Sequence, residues 1–335
     1  MDGSKILITG GTGSWSNELV RQLLNKYSLE LIRIFSRGEH KQVEMQQKFK
    51  DRPELDFFIG DVRDKERLSH AMKDIDIVIH LAALKHVPIC EKNAWEAVLT
   101  NIYGTQNIIE AAIENNVRTV VDVSTDKAVD PLNVYGITKA CGEKLVINAR
   151  NNYKTDTKFV CIRGGNVMGT NGSVLPLFIN QIRKDNRITI TDKEMTRFLM
   201  STKDAISLIF KAIDAAVGDE IFVMRMPALN IMEIADIMIK KFGNKDTAID
   251  FIGIRPGEKL DEILVSRNES PRTKVFSDDY YLILPYEDKD KYNKYKNLPS
   301  VDFEEFTSRN AHTLDENTFI EKLESEEWLN IKTSL

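Results

Sequence analysis

Residues 5–9, reading KILIT, form a short apolar run that meets the glycine-rich stretch GGTGSWS at once, and a helical pattern follows over residues 17–26. An apolar run this short, cut off by glycines and continued with a 3.6-residue period, reads as strand, tight turn and helix. Gly11, Gly13 and Ser16 fall on the positions of a G-x-G-x-x-G fingerprint, with Ser16 in place of the third glycine, and Gly10 permits an alternative G-x-x-G reading. Such glycines let the backbone approach a pyrophosphate whose charge faces the helix N-terminus. The third position governs helix-to-strand packing, and serine is still small there.

A lone fingerprint constrains little, and the segments after it constrain much more. Strand-like runs recur at residues 31–36, 55–59, 75–80, 119–123 and 158–162, with helical patterns between them, notably over 93–114 and from Val134 to about Asn152. Strand and helix in alternation predict an α/β chain built on a doubly wound parallel sheet with right-handed crossovers. Beyond residue 165 the pattern loosens. A helix is expected over 173–184, short β segments over 188–190 and 197–200, an amphipathic helix over 203–217, a strand over 221–226, a helix over 231–242 and a strand over 248–252. The turn-rich IRPGEKLDE follows them. These segments predict a smaller C-terminal substrate lobe, so the expected division is a Rossmann domain over 1–165, that lobe over 166–286, and a charged excursion with a tail over 287–335. Glu287, Asp288, Lys289, Asp290 and Lys291 mix both signs, as a solvated surface excursion does. The tail is expected to end in a short acidic helix.

Composition removes several classes of function. A chain of 335 residues with 42% hydrophobic and 29% charged residues is that of an ordinary globular enzyme. A net charge of -5 with no basic aromatic stripe argues against nucleic-acid binding. The three cysteines, Cys90, Cys141 and Cys161, stand singly, which points to a reducing compartment and no structural zinc, and the five histidines have no metal-ligand spacing. The longest apolar run, near residues 75–84, is too short to cross a bilayer, so a cytoplasmic location is expected.

Chemistry concentrates in residues 124–139, STDKAVDPLNVYGITK, where an apolar strand opens into a loop and a helix. Tyr135 and Lys139 stand four apart, so on a helix both project from one face, and the ammonium favours phenolate over phenol. Tyr292 and Lys296 repeat the spacing in a polar tail with no strand before it, so the spacing alone is weak. Context separates the two, because Ser124, Thr125, Asp126 and Lys127 lie at the carboxyl end of a buried strand, the ligand edge of an open α/β sheet. At the end of the second strand Ser36 and Arg37, with Lys41 a turn on, stand where an NAD enzyme places an acid, and they suit a 2'-phosphate, though solvated cations are the bland reading. Asp61 is placed to accept from an adenine amino group, Ala82 and Ala83 would let the chain pass close to a cofactor, and Lys85 would face the site. Asn101 lies among apolar neighbours on the helix expected over 93–114.

Taken together, these residues resemble the extended short-chain dehydrogenases, and among them the nucleotide-sugar 4,6-dehydratases acting on UDP-N-acetylglucosamine, in particular the soluble C5-inverting enzymes of pseudaminic acid and capsule pathways. The resemblance rests on ITGGTGS at 8–14, IFSR at 34–37, FFIGDVRD at 57–64, AALKHVP at 82–88, TNIYGTQN at 100–107, STDKAV at 124–129, YGITK at 135–139, GNVMG at 165–169, ITDKEMTRF at 190–198 and IRPGEKLDE at 254–262. It implies NADP held by Gly10, Thr12, Gly13, Ser14, Trp15, Ser36, Arg37, Lys41, Asp61, Val62, Ala82, Tyr135 and Lys139. It implies UDP-N-acetylglucosamine held by Lys85, Thr125, Asn166, Val174, Leu175, Pro176, Leu177, Phe178, Arg197, Arg255 and Glu258, with no metal, in a homo-oligomer (dimer or hexamer). Two arginines from separate segments can neutralise a pyrophosphate. The implied chemistry has Tyr135, assisted by Lys139, taking the O4 proton as hydride leaves C4 for NADP, after which Lys127 removes the C5 proton and Asp126 protonates the departing C6 hydroxyl. A lysine base needs a lowered pKa, here expected from burial or from Lys85 and Lys139.

The chain departs from the family pattern at Gly164, where tyrosine is usual, at Asn171, where arginine is usual, and at Trp15, where phenylalanine is commoner. Tyr135 resembles the pseudaminic branch, and FTSRNAHTLD at 306–315 resembles the capsule branch. Dehydration with C5 retained, 4-epimerisation, and a non-catalytic NADP-binding regulator remain open at this point.

Overall fold

Six parallel strands and their crossover helices build the first half of the computed structural model, which describes residues 1–169, 173–285 and 293–326. The strands are β1 (Lys5–Thr9), β2 (Leu31–Ser36), β3 (Leu55–Ile59), β4 (Ile77–His80), β5 (Thr119–Thr125) and β6 (Lys158–Gly164). They are parallel and ordered β3-β2-β1-β4-β5-β6, so the chain works outward from β1 in one direction and then reverses. That reversal between β1 and β4 opens the crevice in which such sheets bind ligands. Ile77, Val78, Ile79, Val120 and Val121 are fully buried, as strands covered on both faces must be. The expected strands 75–80 and 119–123 shift to β4 and β5, which carries the last strand residues through Thr125.

The covering helices are α1 (Ser14–Lys26), α2 (Glu39–Lys48), α3 (Lys65–Ala71), α4 (Val87–Lys92), α5 (Ala94–Val98), α6 (Gly104–Glu114) and α7 (Val134–Tyr153). The single helix expected over 93–114 is broken. Asn93 leaves helical geometry between α4 and α5, and a π-helical turn, Leu99–Tyr103, joins α5 to α6. Such wide turns accompany functional sites, and this one carries Asn101.

Beyond residue 165 come β7 (Asn166–Val167), α8 (Val174–Asp185), β8 (Arg187–Ile190), β9 (Thr196–Met200), α9 (Thr202–Ala215), β10 (Ile221–Met224), β11 (Ala228–Asn230), α10 (Ile231–Phe242), β12 (Ala248–Phe251), β13 (Ile263–Val265), β14 (Thr273–Ser277), β15 (Tyr280–Ile283), β16 (Phe306–Thr307) and α11 (Glu316–Glu324). β10 adds in parallel beside β6, and the hairpin β14–β15 continues the sheet antiparallel, giving nine strands. The large sheet therefore takes strands from both sides of the boundary expected at 165. A second apolar core, including Leu175, Phe178, Leu199, Ile234, Met238 and Phe319, sits among α8, β9, α10 and α11. The charged residues 287–291, together with Tyr292 and Asn171, lie outside the described residues.

Candidate active site

The glycine turn between β1 and α1 is shaped for close approach. Gly10 has φ +65° and a Cβ there would stand 2.8 Å from the backbone N of Ala82, so only glycine fits beside the β4 exit. The Gly13 N–H and the Ser16 hydroxyl both donate to the Gly10 carbonyl at 3.0 Å, so the serine at the third fingerprint position helps close the turn. Gly13 caps α1 with no side-chain hydrogen bond, leaving N–H groups of the first turn, Ser14 and Trp15 among them, for an anion beside Thr12. Ser36 is buried, with Gln42 Nε2 donating to its Oγ at 3.0 Å and to its carbonyl at 3.1 Å. Arg37 is more than half exposed and lies 3.9 Å from Asp61, while Lys41 is exposed on α2. Asp61 is gripped by Arg63 at 2.7 and 2.9 Å, which sequence reasoning missed; burial pushes its carboxyl up, and the Arg63 hydrogen bonds outweigh burial and hold it below the usual range. Buried Val62 packs where Gly104 leaves room for it.

At the end of β5 the structure brings the segment's polar groups together. Thr125 Oγ1 donates to Asp126 Oδ1 at 2.8 Å, and the Asp126 carboxylate is 1% exposed. Lys127 Nζ lies 3.1 Å from Asp126 Oδ1, 3.4 Å from Asn166 Oδ1 and 3.4 Å from Glu262 Oε1. Glu262, the last residue of IRPGEKLDE, was not singled out by the sequence. Burial pushes the Lys127 ammonium toward neutrality, but Asp126 and then Glu262 outweigh it, so its pKa is raised. The expectation of a lowered lysine is thereby corrected: the partners that face it are mainly carboxylates. Two neighbouring lysines are lowered instead: Lys85, by burial and by Lys127, and Lys259, by burial against the pull of Glu262.

Tyr135 and Lys139 project from the first turns of α7, as their spacing requires. Burial raises the pKa of the Tyr135 phenol against the pull of Lys139, Thr125 and Lys127. A downward net shift was expected from Lys139 alone; desolvation of the phenolate reverses it. Lys139 Nζ is itself bound 3.2 Å from both oxygens of Asp122, which is fully buried on β5, and these charges hold the lysine protonated against burial. Asn101 ties this helix to the β4 exit: it donates to the Leu84 carbonyl and accepts from the Leu84 N–H, each at 2.9 Å, and donates to Thr138 Oγ1 at 3.0 Å.

The remaining candidates spread over the second lobe. Arg197 on β9 donates to the carbonyls of Thr196 at 2.7 Å and Leu260 at 3.0 Å, and its Nε stands 3.8 Å from Glu262. Arg255 lies 3.7 Å from Glu258 and is half exposed. Of the first turn of α8, Leu175 and Phe178 are buried in the second core, Pro176 is buried, Val174 is partly buried and Leu177 is exposed. No His, Cys, Asp or Glu cluster among the described residues could hold a metal ion.

Residues 6–284 match a sequence family described as polysaccharide biosynthesis protein. The chain is 44% identical over 290 residues to a UDP-N-acetylglucosamine 4,6-dehydratase (inverting) of Campylobacter jejuni, covering 85% of each chain. It is 43% identical over 320 residues to a UDP-glucose 4-epimerase of Rickettsia bellii, covering 92% of each. Among solved structures it is similar to Pen from Bacillus thuringiensis, with TM-score 0.90, 36% identity and 98% of each chain covered.

Proposed function

Because the chain belongs to the polysaccharide biosynthesis protein family and sets an Asp126–Lys127 pair beside Tyr135 and Lys139, we propose that it catalyses 4,6-dehydration of UDP-N-acetylglucosamine with inversion at C5. The observation that carries the reading is the buried Asp126 carboxylate 3.1 Å from the Lys127 ammonium, at the ligand edge of the sheet and accepting a hydrogen bond from Thr125. A 4-epimerase, the name borne by the Rickettsia relative, needs one group to exchange the O4 proton, and Tyr135 with Lys139 suffices for that. Asp126 and Lys127 would then be idle. Elimination across C5 and C6 needs an acid and a base together, and one proton passing from Lys127 to Asp126 turns the ion pair into a carboxylic acid and a neutral amine.

The cofactor in this proposal is NADP. The residues fit it: the turn at Gly10 leaves no room for a side chain against Ala82, α1 has an uncapped N-terminus, and β2 ends in Ser36-Arg37 with Lys41 near and no acid at the position that would bind a ribose hydroxyl. When bound, it would supply the hydride acceptor at C4 and the hydride donor at C6. Tyr135 accepts the O4 proton, Lys139 orients it and balances the phenolate, Lys127 takes the C5 proton, and Asp126 protonates the departing C6 hydroxyl. Arg197 and Arg255 are assigned to the diphosphate, and Lys85, Thr125, Asn166, Glu258 and the first turn of α8 to the sugar and uridine.

A cytoplasmic homo-oligomer completes the proposal. No helix among the described residues is long and apolar enough to cross a membrane, and exposed Trp95 and Tyr103 stack edge to face on α5 and the π turn, apolar surface that a second copy would cover. The test is to incubate the purified protein with UDP-N-acetylglucosamine and a trace of NADP. A sugar nucleotide lighter by one water, with no steady build-up of NADPH, is expected; a product of unchanged mass with C4 inverted would select the epimerase.

A further inference from the structure

Glu262 brings a second carboxylate to the Lys127 ammonium, and elimination across C5 and C6 uses only the first. The inference rests on the dehydratase reading. In that reading the Asp126–Lys127 pair starts with one proton shared between its two members, and that proton leaves with the C6 hydroxyl as water. A pair that has already lost it to solvent has no acid to offer, so turnover must fail above the pH at which the pair gives its proton up.

Glu262 is placed to decide that pH. Its side chain is 5% exposed, and Oε1 stands 3.4 Å from Lys127 Nζ, which also donates to Asp126 Oδ1 at 3.1 Å and to Asn166 Oδ1 at 3.4 Å. Oxygens from three segments, the turn after β5, the start of β7 and the loop before β13, thus surround an ammonium that has three protons to give. The backbone of Glu262 is itself clamped. Its N–H donates to Ser308 Oγ and its carbonyl accepts from the Ser308 N–H, each at 2.9 Å, and Ser308 Oγ lies 2.6 Å from Thr196 Oγ1, next to Arg197. The position of this carboxylate is therefore set by segments other than the one it faces. The charged and titratable groups around it are Asp126 and Lys127 after β5, Tyr135 on α7, Arg197 on β9 with its Nε 3.8 Å away, and Lys85 and Lys259 from the flanking loops. Burial raises the Glu262 carboxyl and Lys127 pulls it back, while Asp126 and then Glu262 outweigh burial at Lys127. Carboxylate and ammonium each keep the other charged.

We propose that Glu262 is a positioning residue for the elimination: it aims Lys127 Nζ between Asp126 and Asn166, and it holds on the Asp126–Lys127 pair the proton that the step consumes. Glu262→Gln keeps the length and removes the charge, and Glu262→Asp keeps the charge but draws it back by one methylene. Each is loaded with NADP and given UDP-N-acetylglucosamine, and kcat is followed as pH rises. Glu262→Gln should lose turnover at a pH lower than the wild type by about one to three units, the range an opposite charge at this distance commands. Glu262→Asp should fall between the two, and NADP binding, read by fluorescence titration, should be unchanged in both. An alkaline limit that stays where the wild type has it, whatever the loss of rate, or one that moves up, would overturn the proposal, because a group that only packs lowers the rate without moving the limit. Should Glu262→Gln not fold, Glu262→Asp decides alone: a lowered limit supports the role and an unmoved one overturns it. Failure of the wild type to release water from the sugar would instead sink the dehydratase reading itself.

Discussion

An ammonium held between two carboxylates is a poor base, and Lys127 lies 3.1 Å from Asp126 and 3.4 Å from Glu262. What makes it usable is that its proton has somewhere useful to go, since moving it to Asp126 creates the acid and the base in one step. Lys127→Ala should therefore abolish elimination while dinucleotide binding, assayed by fluorescence titration, stays intact, because the glycine turn is built from β1 and α1. If the pair were only a partly exposed ion pair, worth about 0 to 1 kcal/mol, the variant would keep near wild-type turnover. Arg37→Asp should weaken NADP much more than NAD in the same titration, and equal losses would remove Arg37 from the 2'-phosphate. Tyr135, Lys139, Asp126 and Lys127 were legible because their spacing and the strand before them are local. Asp122, Glu262 and Arg63 were not. A single acid inside an apolar run, or one charge among many in a loop, looks like any solvated residue until the fold sets it against a partner distant in sequence.

Among the elements, α7 is held at its catalytic turn and again further along. Asn101 in the π turn bonds Thr138 on one side, and Arg163 of β6 binds Glu143 at 2.9 Å and Glu269 at 2.7 and 2.8 Å on the other, with no part of the fork exposed by more than a tenth. A buried Arg163 without these carboxylates would be strongly destabilising. The alternation of strand and helix was readable from apolar periodicity, but the π turn was not, because it inserts within one helical pattern and the residues around it keep that period. Acid should loosen this framework. Burial raises the Glu269 carboxyl, but Arg163 outweighs it and holds the group at about 2, below its ordinary 4.5. Burial holds His80 at about 4, below its ordinary 6.5. In both cases the unfolded chain binds more protons, so the stability each adds is complete above the ordinary pKa and is lost as pH falls toward the lowered one. Stability measured by urea titration should fall from about pH 6.5 to pH 4 through His80 and on toward pH 2 through Glu269, each on the order of 3 kcal/mol. Arg163→Met should flatten the lower limb. A flat profile over the whole range would contradict both assignments.

At the scale of the molecule, the sheet joins the two halves of the chain. β10, β14 and β15 come from beyond residue 165 yet complete the large sheet beside β6, while β9 and the loop before β13 bring Arg197 and Glu262 back over the end of β5. The hairpin of β14 and β15 escaped the sequence because no helical pattern separates its two runs; the parallel core did not, because its mostly apolar strands alternate with helical patterns. One proposed active site thus draws on both halves, and its central claim is that a carboxylic acid and an amine from neighbouring residues eliminate water across C5 and C6. The most direct measurement is to run the reaction in deuterated water with UDP-N-acetylglucosamine and follow the earliest product by proton NMR. The account predicts a 4-keto-6-deoxy sugar with deuterium at C5 and couplings of the inverted L-arabino ring; a first-formed D-xylo product, or one that keeps its C6 hydroxyl, would contradict it.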